Sequence, residues 1–556
     1  MATSLRFFVP LTEEPSSNSP GAETMRAGTG HRPRPWRTRT RLGLVVTLVA
    51  VVAAGCRPVD TPFDRLVRDD LSFAAARVAT TESVVPSSVY PQETDASGMW
   101  KTTPPSIWTS GFLAGLDWEL YRATGSTAWR ALAQVRQSGV ESQDVNTADH
   151  DIGFKVFDSF GNGNRLTGNT NSASVLLTAA DSLATLYDPD VGCLLSWGNP
   201  NTDFKVVIDS VMNLELLLWA SKHGGPASLR TIAISHAKHL QRDHVRADGS
   251  TFHAVWYDPT TGSVLRKGTL QGNRDNSTWS RGQAWAMHGF TMLYRETGDP
   301  SFLATARSTA DWYLAHVPDD MVPYWDFDFT DGSTEPRDSS AAAIAASGLL
   351  ELARLEPDGQ RANTYLLAAD ATLTSLSSHA YRSDGTSNQA ILLHGTRFKK
   401  ENNDYDTGLI FGDYFFVEAL LRVRWFAPTV APLTVSGVTA SATDGFPATN
   451  TVDGNLATRW SATGDGQWIR YDLGSKQNVD KVGIAFDLGD QRASRFDIQT
   501  SLDGSAWTTH LGSLSSATTN ALETYDIPDA SARYVRIVGH GNSVDARTAI
   551  TEVKIY

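Results

Sequence analysis

Cysteine is almost missing from this chain: two in 556 residues, Cys56 and Cys193. That excludes a disulfide framework and a four-thiolate zinc site. Long apolar runs are missing too. The longest, residues 42–54, is shorter than the roughly 20 residues a membrane span needs. Basic residues are outnumbered, 48 Lys and Arg against 61 Asp and Glu, for a net charge of −13. Residues 1–56 hold seven Arg against three Glu, +4, which leaves −17 on 57–556. A body that acidic is no general nucleic-acid binder. Neither glycine nor proline is rich enough for a collagen-like or disordered chain. What the chain has in quantity is apolar residues, at 41%, and aromatics, with 16 Trp, 15 Tyr and 22 Phe. Aromatics suit the faces of sugar rings, although most serve as core.

The first 56 residues read as a targeting segment. Arg26, Arg32, Arg34, Arg37, Arg39 and Arg41 precede the apolar run, which ends in Ala53-Ala54-Gly55-Cys56. A basic region, an apolar stretch and small residues make a secretory signal. Cysteine directly after them is similar to a bacterial lipobox with Cys56 acylated, although Ala53 stands where Leu is usual. The expectation is a protein secreted or lipid-anchored at the bacterial cell surface. Any membrane contact would run through the lipid anchor alone.

Residues 57–426 read as helices joined by short corners. Tyr121-Arg122-Ala123-Thr124-Gly125-Ser126, Arg165-Leu166-Thr167-Gly168-Asn169 and Tyr294-Arg295-Glu296-Thr297-Gly298-Asp299 share one pattern. Glycine just past a helix end takes the left-handed conformation cheaply, and Ser, Asn or Asp caps the next helix. Repeated helical hairpins predict an all-α α/α toroid, with inner helices facing a central cleft. Residues 427–433 read as a linker. Residues 434–556 carry short alternating runs, such as Trp468-Ile469-Arg470-Tyr471-Asp472-Leu473, which predict an antiparallel β-sandwich.

Four clusters carry chemistry. Asp149-His150-Asp151-Ile152-Gly153-Phe154 suits either a carboxylate held in a chosen protonation state or an acidic helix start. Residues 206–214 read as an apolar helix holding one acid, Asp209, and one amide, Asn213. Apolar company raises a carboxyl pKa and keeps it a proton donor nearer neutrality. In Trp279-Ser280-Arg281-Gly282-Gln283-Ala284-Trp285, Arg281 and Trp285 share a helix face. A guanidinium grips a carboxylate with two parallel bonds and an indole covers a sugar ring, which would suit an acidic sugar; core packing is the alternative. His253 with Thr269-Leu270-Gln271-Gly272 offers polar groups near a glycine, in a ligand site or a structural turn.

Together these stretches resemble the unsaturated glucuronyl hydrolases, glycoside hydrolase family 88. The resemblance runs through Trp108-Thr109-Ser110-Gly111-Phe112, 150–154, 208–214, 248–253, 279–285, 322–328, 336–352 and 411–422. It implies an all-α six-hairpin α/α barrel (toroid) in which Asp151 and Asp209 are the catalytic carboxylates. It also implies that Trp108, His253, Thr269, Gln271, Arg281 and Trp285 bind the unsaturated sugar. The implied substrate is a lyase-generated oligosaccharide ending in a 4,5-unsaturated uronic acid. Asp209 would protonate C4 while water attacks C5, and no metal or organic cofactor is required. The loop Arg397-Phe398-Lys399-Lys400-Glu401-Asn402-Asn403 would lie near the leaving sugar.

Residues 434–556 resemble a discoidin-like (coagulation-factor type C) jelly roll, on the evidence of 452–461, 467–474, 501–507 and 532–537. That implies a polysaccharide ligand and a structural calcium on Asp453, Thr458 and Glu552. The plain alternative is a turn whose Asp bonds its own backbone. The neighbouring rhamnogalacturonyl hydrolase type is an alternative activity, and a non-catalytic surface glycan-binding lipoprotein is an alternative class. Retention of both Asp151 and Asp209 argues against the latter.

Overall fold

A computed structural model describes residues 61–401 and 404–556. The leader, Cys56 and Asn402-Asn403 lie outside the described residues. Helices fill the first part: α1 (Pro62–Val84), α2 (Phe112–Thr124), α3 (Thr127–Val140), α4 (Asn162–Thr167), α5 (Thr170–Ala184) and α6 (Ser210–Lys222). They continue with α7 (Ser228–His239), α8 (Ser280–Thr297), α9 (Pro300–His316), α10 (Ser339–Leu355), α11 (Gly359–Leu376) and α12 (Ile410–Arg422). A π-helical segment, Gly153–Gly161, runs into α4.

The inner helices close a ring. α2 packs on the π-helical segment, that segment on α6, α6 on α8, α8 on α10, α10 on α12, and α12 back on α2. Outer helices α3, α5, α7, α9 and α11 chiefly back α2, the π-helical segment, α6, α8 and α10, and α1 lies against both α12 and α2. The expected six hairpins are therefore present. Side-chain pattern explains which helix goes where. α10 is buried from Ser339 to Ala353, whereas α11 buries only one stripe, Tyr365, Ala369, Thr372, Leu373 and Leu376. A helix apolar or small all round belongs inside, and an amphipathic one outside. Close approach uses glycine: a Cβ on Gly289 of α8 would lie 2.3 Å from Val211 of α6.

The corner glycines behave as their pattern predicts. Gly125, Gly168 and Gly298 cap α2, α4 and α8 with φ of 66°, 65° and 71°. Asn169 and Asp299 then cap α5 and α9 through their side chains, whereas Ser126 makes no such bond to α3.

One expectation is corrected. Residues 206–214 are not a single helix. Phe204–Val207 is a strand paired with Ala254–Tyr257, and α6 begins only at Ser210. Valines at 206 and 207 favour the extended, half-buried strand, so Asp209 sits at the strand-to-helix change.

Residues 427–436 carry no helix or strand. Seven antiparallel strands follow, two of them 20 residues long, Gln467–Phe486 and Glu523–Asn542. Ile469, Tyr471 and Leu473 point into their core, and the alternate residues point out. The sheet is seated on the helices. Trp118, Tyr121 and Leu166 share one apolar cluster with Ala493, Leu514 and Ala517. Ser513 Oγ donates to the Arg122 carbonyl at 2.9 Å, and Arg165 donates to the Ser516 carbonyl at 2.5 Å.

Two of the corner glycines separate this seam from ordinary capping. A Cβ on Gly168 would lie 2.0 Å from the Ser543 carbonyl, whereas one on Gly298 would meet nothing within 4 Å. Gly298→Ala should cost only the left-handed strain, about 1–2 kcal/mol. Gly168→Ala should cost at least ~1 kcal/mol more, because the sheet domain has to shift. Urea melts of the two variants check this. Equal losses would show that the seam does not bear on Gly168.

Candidate active site

Asp151 and Asp209 come from adjacent inner-ring segments, and the structure brings them together. Asp151 opens the helical stretch before Gly153, and its backbone N–H donates to Asp149 Oδ1 at 2.9 Å. Asp149 in turn takes both bonds of Lys155, at 2.8 Å each, and that lysine is fully buried. Asn213 of α6 accepts from the Phe154 N–H at 2.9 Å, which ties α6 to the Asp151 segment. Asp209 occupies the N-cap position of α6 yet makes no capping bond. Its Oδ1 is buried without a hydrogen-bond partner. Asp209 thus stands at a helix start without the bonding of a cap. An acid at an N-cap ordinarily satisfies the first-turn N–H groups; this one is left for something else.

Burial drives both carboxyls upward. Asp209 is raised to about 6, with His150 and Arg281 pulling it down and Asp151 pushing it up. Asp151 is raised to about 7, with Asp149 repelling its charge and Lys155 and Asn213 favouring it. Both carboxyls can therefore hold a proton near neutrality, Asp151 against the charge of Asp149 and Asp209 against that of Asp151.

The other expected residues line the same region with different duties. His253 Nδ1 accepts from the Leu270 and Gln271 N–H groups, both at 3.2 Å, so the ring proton belongs on Nε2. Burial and the Arg281 charge hold His253 neutral, with a pKa lowered to about 3. Thr269 Oγ1 lies 3.3 Å from that same Nδ1 and accepts from Gly272 N–H at 2.7 Å. Gln271 gives its Oε1 to Arg281 at 3.0 Å, which leaves its NH₂ to face a ligand. Trp108 is half-buried against Phe411 and Phe154, centroids 4.8 and 5.5 Å away.

Two expectations about contacts are corrected. Arg281 does not present a free fork. Its Nη1 donates to Asp338 at 2.8 Å and to the Thr396 carbonyl at 2.5 Å. Its Nη2 donates to Gln271 and, at 2.8 Å, to the Arg397 carbonyl. All four terminal protons are committed and the residue is 1% exposed. What Arg281 has left to offer a ligand is its charge and the Gln271 amide that it orients. Trp285 is likewise 1% exposed, wedged between Phe154 and Phe415 at 5.2 Å each. Its indole is core as folded, not an open sugar platform. The helix-face argument was right about which residues share a side; it carried no information on how deep that side lies.

Sequence reasoning passed over four residues here: His150 as a separate group, Trp197, Trp279 and Asp338. Trp197 is half-exposed and pairs with Asp149 across an isolated bridge, its ring 5.9 Å from His150. Trp279 stacks on His253 at 4.4 Å. The aromatic surplus was a signal for both, without positions. The basic loop is partly neutralised, since Arg397 bonds Glu93 at 2.6 Å and also pairs with Asp404.

Comparison with known proteins decides the family. The chain is 41% identical over 325 residues to the unsaturated glucuronyl hydrolase of Formosa agariphila, covering 57% of this chain and 80% of that one. The chain belongs to the unsaturated glucuronyl hydrolase family. The enzyme of that name from Bacillus sp. strain GL1 is 37% identical, with 60% of this chain and 91% of the relative covered. A crystal structure of an unsaturated glucuronyl hydrolase specific for heparin superposes with a TM-score of 0.62 at 33% identity, over 65% of this chain and 97% of that one. The barrel is therefore that of a glycoside hydrolase. Residues 434–553 match the F5/8 type C domain, the discoidin fold.

In that domain Asp453 and Thr458 share one turn, and Glu552 reaches it from the strand Arg547–Ile555. Thr458 Oγ1 donates to Asp453 Oδ2 at 2.7 Å, and Gly454 N–H donates to Glu552 Oε2 at 3.2 Å. Among the described residues no group of three or more His, Cys, Asp or Glu is placed to hold a metal. A cation here would rest on two carboxylates and neutral oxygens, a donor set that fits a hard ion such as calcium.

Proposed function

We propose that the enzyme removes the terminal 4,5-unsaturated uronic acid from lyase-generated oligosaccharides by hydrating its C4=C5 bond. The observation that carries this reading is the raised Asp151 and Asp209 carboxyls, with an Asp209 oxygen buried and left unbonded. Asp209 gives its proton to C4 of the enol ether. Water adds to C5, and the proton it sheds restores the carboxyl. The hemiketal at C5 opens, and the glycosidic bond falls apart. Asp151 holds substrate hydroxyls, and the Gln271 amide and the nearby Arg281 charge favour the substrate carboxylate. Because nothing displaces C1 directly, the carboxylate separations of ordinary glycosidases do not apply.

The direct test follows loss of ultraviolet absorbance on unsaturated disaccharides, sulfated and unsulfated. Turnover of none of them sinks the proposal. The pH dependence has a definite sign. The reaction needs a proton on the pair, and the pair loses it as pH rises through about 6 to 7. So kcat/KM should fall tenfold per unit above that range. A rate still flat at pH 9 would rule out a carboxylic acid donor.

Export and acylation at Cys56 belong to the same proposal and rest on the leader sequence. The F5/8 type C domain would hold acidic polysaccharide near the cell surface and carry a structural calcium at Asp453, Thr458 and Glu552. Adding chelator should lower the melting temperature of the parent and leave Asp453→Ala unmoved. Identical shifts, or none, would remove the ion from the account.

A further inference from the structure

His150 is buried beside the two carboxyls, at 1% exposure, and no role has been given to it. Its backbone is pinned by an N–H bond to the Ser196 carbonyl at 2.9 Å. Its Nε2 stands 3.5 Å from Asp151 Oδ1, and neither ring nitrogen has a hydrogen-bond partner. The unbonded Oδ1 of Asp209 belongs to the same region. Among charged neighbours, Asp209 acts most strongly on His150, and His150 most strongly on Asp209. Asp149, Asp151 and Lys155 face the ring from its own segment, Asp209 from the start of α6 and His236 from α7. Lys155 is bound to Asp149, so these two largely cancel.

Three buried, under-bonded groups meet here, and their needs are complementary. A neutral imidazole has one donor and one acceptor. An ionised Asp151 wants a donor, and a protonated Asp209 wants an acceptor. We infer that His150 is a positioning residue that decides which carboxyl carries the shared proton, its Nε2–H turned to Asp151 and its Nδ1 receiving the acid proton of Asp209. The His150–Asp151 contact, 3.5 Å here, closes when substrate excludes water, as catalytic hydrogen bonds commonly do. Desolvation keeps the ring neutral, since burial lowers its pKa. Left to burial and the surrounding charges, the proton would favour Asp151, raised to about 7, over the reacting Asp209, raised to about 6. With the ring between them, the proton is held on Asp209 until C4 of the substrate draws it off. This inference rests on the proposed use of Asp209 as the acid.

The experiment compares His150→Phe, which keeps shape, with His150→Gln, which keeps a donor and an acceptor. His150→Phe should lose about 10²-fold in kcat with KM within threefold, and its alkaline limb should move. His150→Gln should recover at least tenfold of that loss. A kcat and pH profile for His150→Phe equal to the parent's would overturn the inference, as would a Gln variant no better than Phe. If His150→Phe does not fold, nitrogen-15 NMR of the labelled histidines in the parent decides, with His150→Gln assigning the resonance. The expected ring stays neutral from pH 5 to 8, and its Nδ1 signal moves on Asp209→Asn. A ring that titrates in that range, or ignores that substitution, removes the assigned role. A parent inactive on every unsaturated disaccharide would instead sink the underlying reading; an active parent with an indifferent His150 sinks only this one.

Discussion

Asp209→Asn is expected to cut kcat by about 10³-fold or more while leaving the protein folded and, at pH 8, more stable than the parent. The loss follows from the removed proton donor, since a positioned general acid supplies roughly 10²–10⁴-fold. The gain follows from linkage. Burial raises the folded-state pKa of Asp209 to about 6, above the unfolded value of about 3.9. The stability this group lends is therefore complete below the unfolded pKa and is lost as pH rises through about 6. At pH 8 the parent holds a desolvated charge that asparagine does not. The difference is on the order of 2–3 kcal/mol before allowance for the part of the carboxyl that water reaches. Melts at pH 4 and pH 8 read it: the variant should lead at pH 8 and draw level at pH 4. A variant that melts below the parent at pH 8, or that still consumes the unsaturated uronide at the parent rate, contradicts the account.

Arg281→Ala is expected to be the costliest substitution for stability near the site. It strips Asp338, itself wholly buried, of its cationic partner. Removing one member of such a pair typically costs about 3–5 kcal/mol, because the remaining charge stays buried. The loss does not stop there. The Thr396 and Arg397 carbonyls lose donors, and Gln271 loses the bond that aims its amide. A rise in KM should therefore accompany the fall in stability. Arg281→Lys should not restore either, since one ammonium has three protons and no planar fork to reach four acceptors. Urea unfolding with substrate titration checks both parts. A variant as stable as the parent but unable to bind would return Arg281 to the role of direct carboxylate clamp.

These two residues show how differently a site is written in a chain. Asp209 was legible because its neighbours, Val206, Val207, Ile208 and Val211, are apolar, and desolvation of a carboxyl is a local property. Its placement on a continuous helix was not, because β-branched pairs are compatible with either a buried strand end or a helix start. The strand partner that settles it, Ala254–Tyr257, lies about 50 residues on. Arg281 was legible as a functional cation but not as a saturated one. Its acceptors are 57, 115 and 116 residues away, and no local spacing announces them. Trp285 shares the same limit, since an i,i+4 pattern names a face and says nothing of what covers it.

By itself the sequence determined the class of the molecule: hairpin corners wherever glycine must take a positive φ, a sandwich wherever residues alternate, and an acid among apolar neighbours. Each of those follows from short-range sterics or local solvation, which neighbouring residues set between them. Only the tertiary structure decided that His150 lies against both carboxyls, that Arg281 is spent on protein acceptors, and that the sheet domain is seated on the corners after α2 and α4. Those depend on which distant segments arrive at the same place, and packing, not local preference, chooses that.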